Sequence, residues 1–284
     1  CGATLAHLVK GEHPIMAARK AMALASEEIE QVGPSALLFD QPAPEIPLDR
    51  RVEIDEEQVQ KLSEVIVQIP ESKPFNFVSD YYPPVGHPKA LDYFFVQTLQ
   101  QFGFWDILEG HYAWPMIATI DGHESKGSTY LSRAYLRPLD EDPGFYSPRR
   151  QSQWTFDELF EFFRADDGSD PLPGPILHLG KAWEYGNDML ALGLTPRKIV
   201  DQANCSAKPL QTFLSILDHV AGYKADPMRK KTNLLALILM ERPEQFLKPA
   251  EGEEIQPVVD YHCLRFCLRT GLVDIMDDSL RAKV

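Results

Sequence analysis

Two segments in the last third of the sequence hold side chains that could do chemistry together. Val259-Asp260-Tyr261-His262 sets a carboxylate, a phenolic ring and an imidazole in a row, just ahead of an apolar run. Asp260 stands where a helix opens, and two readings follow. It is a cap favoured by the helix dipole, or an ionised carboxylate poised to meet a developing cation. Tyr261 adds a stacking face, and His262 adds a group that titrates near neutrality. Arg229, Lys230 and Lys231 begin the preceding helix, where positive charge opposes the macrodipole. Such a cluster either finds nearby acids at a solvated turn or holds an anionic ligand.

Other constellations carry less. Cys263 and Cys267 lie four apart beside His262, with Cys205 the only other internal thiol. Zinc needs four converging ligands, so no metal is expected, and the pair reads as small buried hydrophobes. Phe102, Phe104, Trp105, Tyr112 and Trp114 are core residues by composition, or in part a stacking wall for a planar base. Asp121 to Gly127 is a polar loop containing a His and a Glu. The sequence holds no nucleophile elbow, P-loop or dinucleotide fingerprint.

The elements that must position these residues are mostly helical. An amphipathic helix is expected over 13–31, then a proline-rich arm to about residue 50. Asp55 opens a helix with Val59, Leu62, Val65 and Ile66 on one face. A long aromatic helix is expected from Leu91 to Trp105, a short strand over 115–120, and a helix over 128–136. Thr155 and Glu158 form a capping box. Helices follow over 176–192, from Thr195-Pro196, over 210–220 and over 231–240. A last helix runs over 258–270 with Gly271 as its stop. The fold class predicted is mainly α, with more than half the residues helical and at most a small β element. Residues 1–45 form an N-terminal helix and arm, and 46–284 one helical domain.

Composition narrows the function. With 28 Lys and Arg against 42 Asp and Glu, the net charge is −14, which opposes nucleic-acid binding through bulk charge. The longest apolar run, Leu234 to Met240, is too short for a membrane span. Neither a disulfide framework nor a leader pattern is evident, so a cytoplasmic protein is expected.

In the last third, Arg229-Lys-Lys-Thr-Asn-Leu-Leu, a proline-bounded loop and Val259-Asp-Tyr-His together resemble the core of the helix-hairpin-helix base-excision glycosylases. That family opens one helix with a lysine and a later one with an aspartate, positions matched by Lys231 and Asp260. Its glycine-rich hairpin is replaced by Ala225-Asp-Pro-Met, and the Lys-to-Asp interval of 29 residues is longer than usual. More of the chain resembles a second branch, the queuosine salvage proteins, which are queuosine 5′-phosphate N-glycosidases of related helical fold. The similarity runs over about 46–275. Phe102-Gly-Phe-Trp resembles their NFSFW element, Asn204-Cys-Ser-Ala-Lys their NSAQKL helix, Met228-Arg-Lys-Lys their FYKRAQ, and Val259-Asp-Tyr-His their ADYR. Their GYWSL motif is only echoed by Gly127-Ser-Thr-Tyr-Leu. That family continues further, so C-terminal helices are expected to be missing here.

The resemblance implies an N-glycosidase that cleaves the ribose–base bond of a modified nucleotide, releasing queuine from queuosine 5′-phosphate. Asp260 would be catalytic. Lys230 and Lys231 would hold a phosphate, His262 would assist the departing base, and Tyr261, Phe104 and Trp105 would line the base site. No cofactor is implied, and the partner is a small nucleotide or nucleoside, with duplex DNA less favoured. Two rival readings stand beside it: a DNA glycosylase using Lys231 as an amine nucleophile, and a non-catalytic base-binding relative.

Overall fold

The computed structural model describes residues 50–70, 75–109, 111–226 and 228–282. The helix expected over 13–31 and nearly all of the proline-rich arm lie outside these. About 48% of the described residues are helical, slightly under the half expected, because loops and short hairpins take more of the chain. The mainly α class holds. Three two-stranded antiparallel sheets accompany the helices, where one small β element was expected.

The order begins with β1 (Val52–Ile54), α1 (Glu56–Val67) and α2 (Ala90–Leu99). Two hairpins follow, β2 (Trp105–Leu108) with β3 (His111–Pro115) and β4 (Ile117–Ile120) with β5 (His123–Lys126), and then α3 (Gly127–Leu136). Short helices α4 (Pro138–Glu141) and α5 (Pro148–Gln151) lead to α6 (Phe156–Phe163) and the long α7 (Pro175–Ala191). The chain continues through α8 (Pro196–Asn204), α9 (Pro209–Leu217), α10 (Lys230–Glu241) and α11 (Tyr261–Thr270), and closes with β6 (Val273–Ile275) and α12 (Asp278–Arg281).

Local signals set most boundaries. Asp55 accepts from Gln58 N at 2.9 Å, and Thr155 and Glu158 bond each other's backbone amides as a capping box. Thr195 caps α8 ahead of Pro196, and Gly271 ends α11 at φ 69. One boundary differs from expectation. The aromatic helix from Leu91 stops at Leu99, and Trp105 opens a strand instead. The expected last helix, α11, is also followed by a strand and one more helical turn.

The core lies between α2, α3, α7, α9 and α10 and is dense in tyrosine. A buried phenol usually finds a partner for its hydroxyl, and four of these do, while the Tyr135 and Tyr185 hydroxyls have none among the described residues. Tyr93 donates to Ser132 O, Tyr130 to Phe163 O, Tyr146 to Tyr135 O and Tyr223 to Phe95 O, at 2.5–2.9 Å. Arg242 is fully buried, and its guanidinium donates to Phe77 O, Pro83 O and the Glu244 carboxylate. It thereby fastens the 77–83 loop to the end of α10. Among the described residues no helix is long and apolar enough to cross a membrane.

A small unit built from both ends of the described chain packs beside this core. β1 pairs with β6, with Val52 opposite Ile275 and Ile54 opposite Val273. Gln58 Nε2 donates to Thr270 O at 2.8 Å, tying α1 to the end of α11. Neither α1 nor α11 buries a residue fully, so this unit is held by few apolar contacts.

The closest helix approach supplies a test. A Cβ on Gly186 of α7 would lie 2.4 Å from both Pro148 O and Ser152 N, backbone atoms that cannot swing away. Gly186→Ala is expected to destabilise the protein by at least about 1–3 kcal/mol, the usual range for overpacking. Urea unfolding checks this; a wild-type midpoint would place α5 and α7 further apart than described.

Candidate functional site

Asp260 does cap α11. Its Oδ1 accepts from His262 N at 2.9 Å and Cys263 N at 3.4 Å, while Oδ2 takes neither amide. The carboxylate is half-buried. Burial is the larger influence on Lys230 and lowers its pKa below the usual lysine value, with Asp260 and Asp226 acting against that.

The basic cluster at the start of α10 is mostly consumed internally. Arg229 donates through Nε to Asp218 at 2.9 Å. Lys230 Nζ donates to Gln101 O at 3.1 Å, and Lys231 Nζ to Leu99 O at 3.4 Å. Both acceptors lie at the C-terminal end of α2, where orphan carbonyls and the negative pole of the dipole favour cations. The two lysines are unfavourable for their own helix and favourable for the one they meet. Lys231 is 9% exposed, lies 5.4 Å from the centre of the Phe102 ring, and has its amine pushed down to about 8, chiefly by burial. Lys181 and Lys230 add to that lowering and Asp226 and Glu184 act against it, and the Lys231 charge in turn reaches the buried His178.

His178 itself is fully buried, stacked on Phe102 at 4.2 Å and bonded through Nδ1 to Gln100 Oε1 at 2.9 Å. Burial pushes its pKa down to about 3, so the ring stays neutral. With Nδ1 donating to the amide oxygen, Nε2 is left as a buried acceptor without a partner among the described residues. His178 and the two lysines together pin the 99–104 segment, and that segment delivers Trp105.

Trp105 Nε1 donates to Tyr261 Oη at 3.3 Å, bringing β2 against the start of α11. Tyr112 of β3 closes the group, 5.9 Å from Trp105 and 6.2 Å from Tyr261 between ring centres. The three rings form one wall of a cleft of about 580 Å³. Leu264 and Leu268 of α11, Val52 of β1 and Val273 and Ile275 of β6 complete the lining. That volume suits a small planar ligand.

The sequence candidates therefore fall into three places. Trp105 and Tyr261 line the cleft, whereas Asp260, next in the chain to Tyr261, and Lys230, bonded to Gln101 O, are outside its lining. His262 is exposed and lies against the Tyr261 ring at 4.0 Å, outside the cleft lining. Phe104 packs against the core beside Gly127, and Lys231 lies over the Phe102 ring, outside the cleft lining. The two cysteines differ from expectation: Cys263 is exposed and Cys267 half-buried in the cleft wall, because α11 packs on one side only. Among the described residues no group of three or more His, Cys, Asp or Glu converges as a metal site. On α11 the cleft residues that the sequence reading did not assign to a site are Leu264, Arg265, Cys267 and Leu268. Their 3-4 spacing with Tyr261 on α11 is the signal that could have revealed them. Neither a protein-family model nor a curated protein matches the chain.

The buried amine of Lys231 gives a pH test. Unfolded, it titrates near 10.5; folded, near 8. Between those values the unfolded chain keeps a proton that the folded chain has shed, so this group makes stability rise with pH. Below pH 8 its burial penalty is at its full value. From pH 7.5 to 9.5, urea unfolding is expected to show a gain in the wild type that exceeds that of Lys231→Met by on the order of 1–2 kcal/mol. An equal or larger gain in Lys231→Met would mean that the amine titrates normally.

Proposed function

We propose that the protein is an N-glycosidase of the queuosine salvage type, hydrolysing the ribose–base bond of queuosine 5′-phosphate or a closely related modified nucleotide. The observation that carries this reading is the Trp105–Tyr261 contact, which builds an aromatic cleft on the residue that follows Asp260 in the chain. A planar base would stack in the cleft against Trp105, Tyr112 and Tyr261.

Cleavage of the C1′–N bond builds positive charge on the sugar, which a fixed carboxylate stabilises. Asp260 is preorganised for that task. Helix amides hold Oδ1, and Oδ2 remains for the sugar or for the water that adds to C1′. The leaving base takes a proton, and the exposed His262 is a nearby titratable donor.

One observation favours a second reading, a base-binding relative without turnover. The cleft lining is mainly apolar, and Asp260 is already employed as a cap outside it. Tight base binding with no release would be its signature. The DNA glycosylase reading draws support only from the lowered Lys231 amine; the bond of that amine to Leu99 O and its burial leave no room for attack on a sugar. A borohydride-trapped adduct on damaged duplex would be needed to favour it.

Asp260→Asn separates chemistry from capping, because Asn caps about as well as Asp but carries no charge. The Asn variant is expected to melt like wild type and to lose about 10²–10³ in turnover, with KM little changed. Chromatographic detection of released base from queuosine 5′-phosphate and a nucleotide panel reads this directly. No release by wild type from any nucleotide, or full turnover in a folded Asn variant, would remove the proposal.

A further inference from the structure

The apolar cleft continues into a second recess of about 530 Å³, and the two share Arg265, Leu268, Val273 and Ile275. The second recess has a different chemistry. Arg269 and Arg281 join Arg265 around it, against a single acid, Asp274. In a chain with 42 acids and 28 bases, three arginines around one recess reverse the local sign of charge. Arg281 is engaged, donating to Ile275 O and lying 3.6 Å from Asp278. Arg265 and Arg269, one turn apart on α11, have no acid or carbonyl partner among the described residues. Like charges at that spacing repel, and a bound oxyanion would relieve the repulsion. The guanidinium fork suits phosphate and carboxylate oxygens in particular.

We propose that the joined recesses bind an aromatic anion. Its flat body would lie between the Trp105–Tyr112–Tyr261 wall and the aliphatic side, and its phosphate or carboxylate would sit on Arg265 and Arg269. The inference rests on the same cleft as the N-glycosidase reading and deepens it. On that reading the anion is the 5′-phosphate of the nucleotide, held by these arginines and not by Lys230 or Lys231, whose amines already bond Gln101 O and Leu99 O.

Calorimetric titration of the full chain with 1-naphthyl phosphate, 1-naphthol and inorganic phosphate tests the division of labour. Naphthyl phosphate is expected to bind at least about tenfold more tightly than either of the others, and its binding, unlike that of neutral naphthol, should weaken as salt rises. The double variant Arg265→Gln/Arg269→Gln should bind naphthyl phosphate no better than naphthol, with naphthol affinity unchanged. Equal affinities for the two naphthyl probes in the wild type, or an undiminished preference in the folded double variant, overturn the inference. If the double variant does not fold, the wild-type ratio and its salt dependence decide alone. A titration with guanosine 5′-monophosphate separates nucleotides from other aromatic anions: binding that the two arginines control assigns the site to nucleotides. Failures of the two readings are distinguishable. Arginine-dependent binding without base release removes the N-glycosidase and leaves this site, whereas release with unchanged KM in the double variant removes this site and leaves the enzyme.

Discussion

The C-terminal end of α2 is the point on which the candidate site depends. Helix Ala90–Leu99 is almost wholly buried, and its last carbonyls must find donors inside the protein. Lys230 and Lys231 supply them from the first turn of α10, a place where two ammonium groups would otherwise be disfavoured. One arrangement thus resolves two local conflicts. It also fixes the path of the 99–104 segment, so that Trp105 reaches Tyr261 from a strand more than 150 residues earlier in the chain.

The remaining parts of the site follow from that anchoring. The Gln100–His178 pair and the stacked Phe102 fill the space beneath the segment, leaving it little freedom to shift. The neutral His178 ring suits this position, since a charged imidazole would face the Lys231 amine inside the core. Beside it, the cleft is lined by Trp105 and Tyr112 from the body and by Tyr261 and aliphatic side chains from the smaller terminal unit. The charge-bearing groups divide likewise. Lysines are spent on carbonyls within the body, while the arginines of α11 stay available at the cleft.

Features written in neighbouring residues were legible in the sequence. The Asp260 cap, the Thr155 capping box, the Thr195-Pro196 start and the Gly271 stop all depend on side chains within a few positions of the backbone they serve. The end of α2 was not read, because apolar and aromatic residues resume directly after Gln100 and Gln101 and run on to Trp105. Gly103, at φ 67, marks where that run turns, and a lone glycine in an apolar segment does not announce a turn by itself. The partners of Lys230 and Lys231 were beyond reach for a different reason: the accepting carbonyls lie about 130 residues away and belong to backbone, which leaves no imprint in residue type. The exposure of Cys263 could not be foreseen either, since an amphipathic helix does not say how deep its apolar side will be covered.

The β1–β6 ladder has a kinetic and dynamic consequence. Three residue pairs join positions about 220 apart, closing nearly the whole described chain into a loop. Such closure is entropically expensive and has few contacts to secure it, so it should form after the tyrosine-rich core has already condensed. The same thin attachment makes this unit a natural foldon at the low-stability end of the molecule. Backbone amides of β1, α11 and β6 should then exchange with solvent through a local opening, while those of α2, α7 and α10 exchange only on global unfolding. Occupancy of the cleft would clasp the opening unit to the body, so the two ends of the chain would gain protection together.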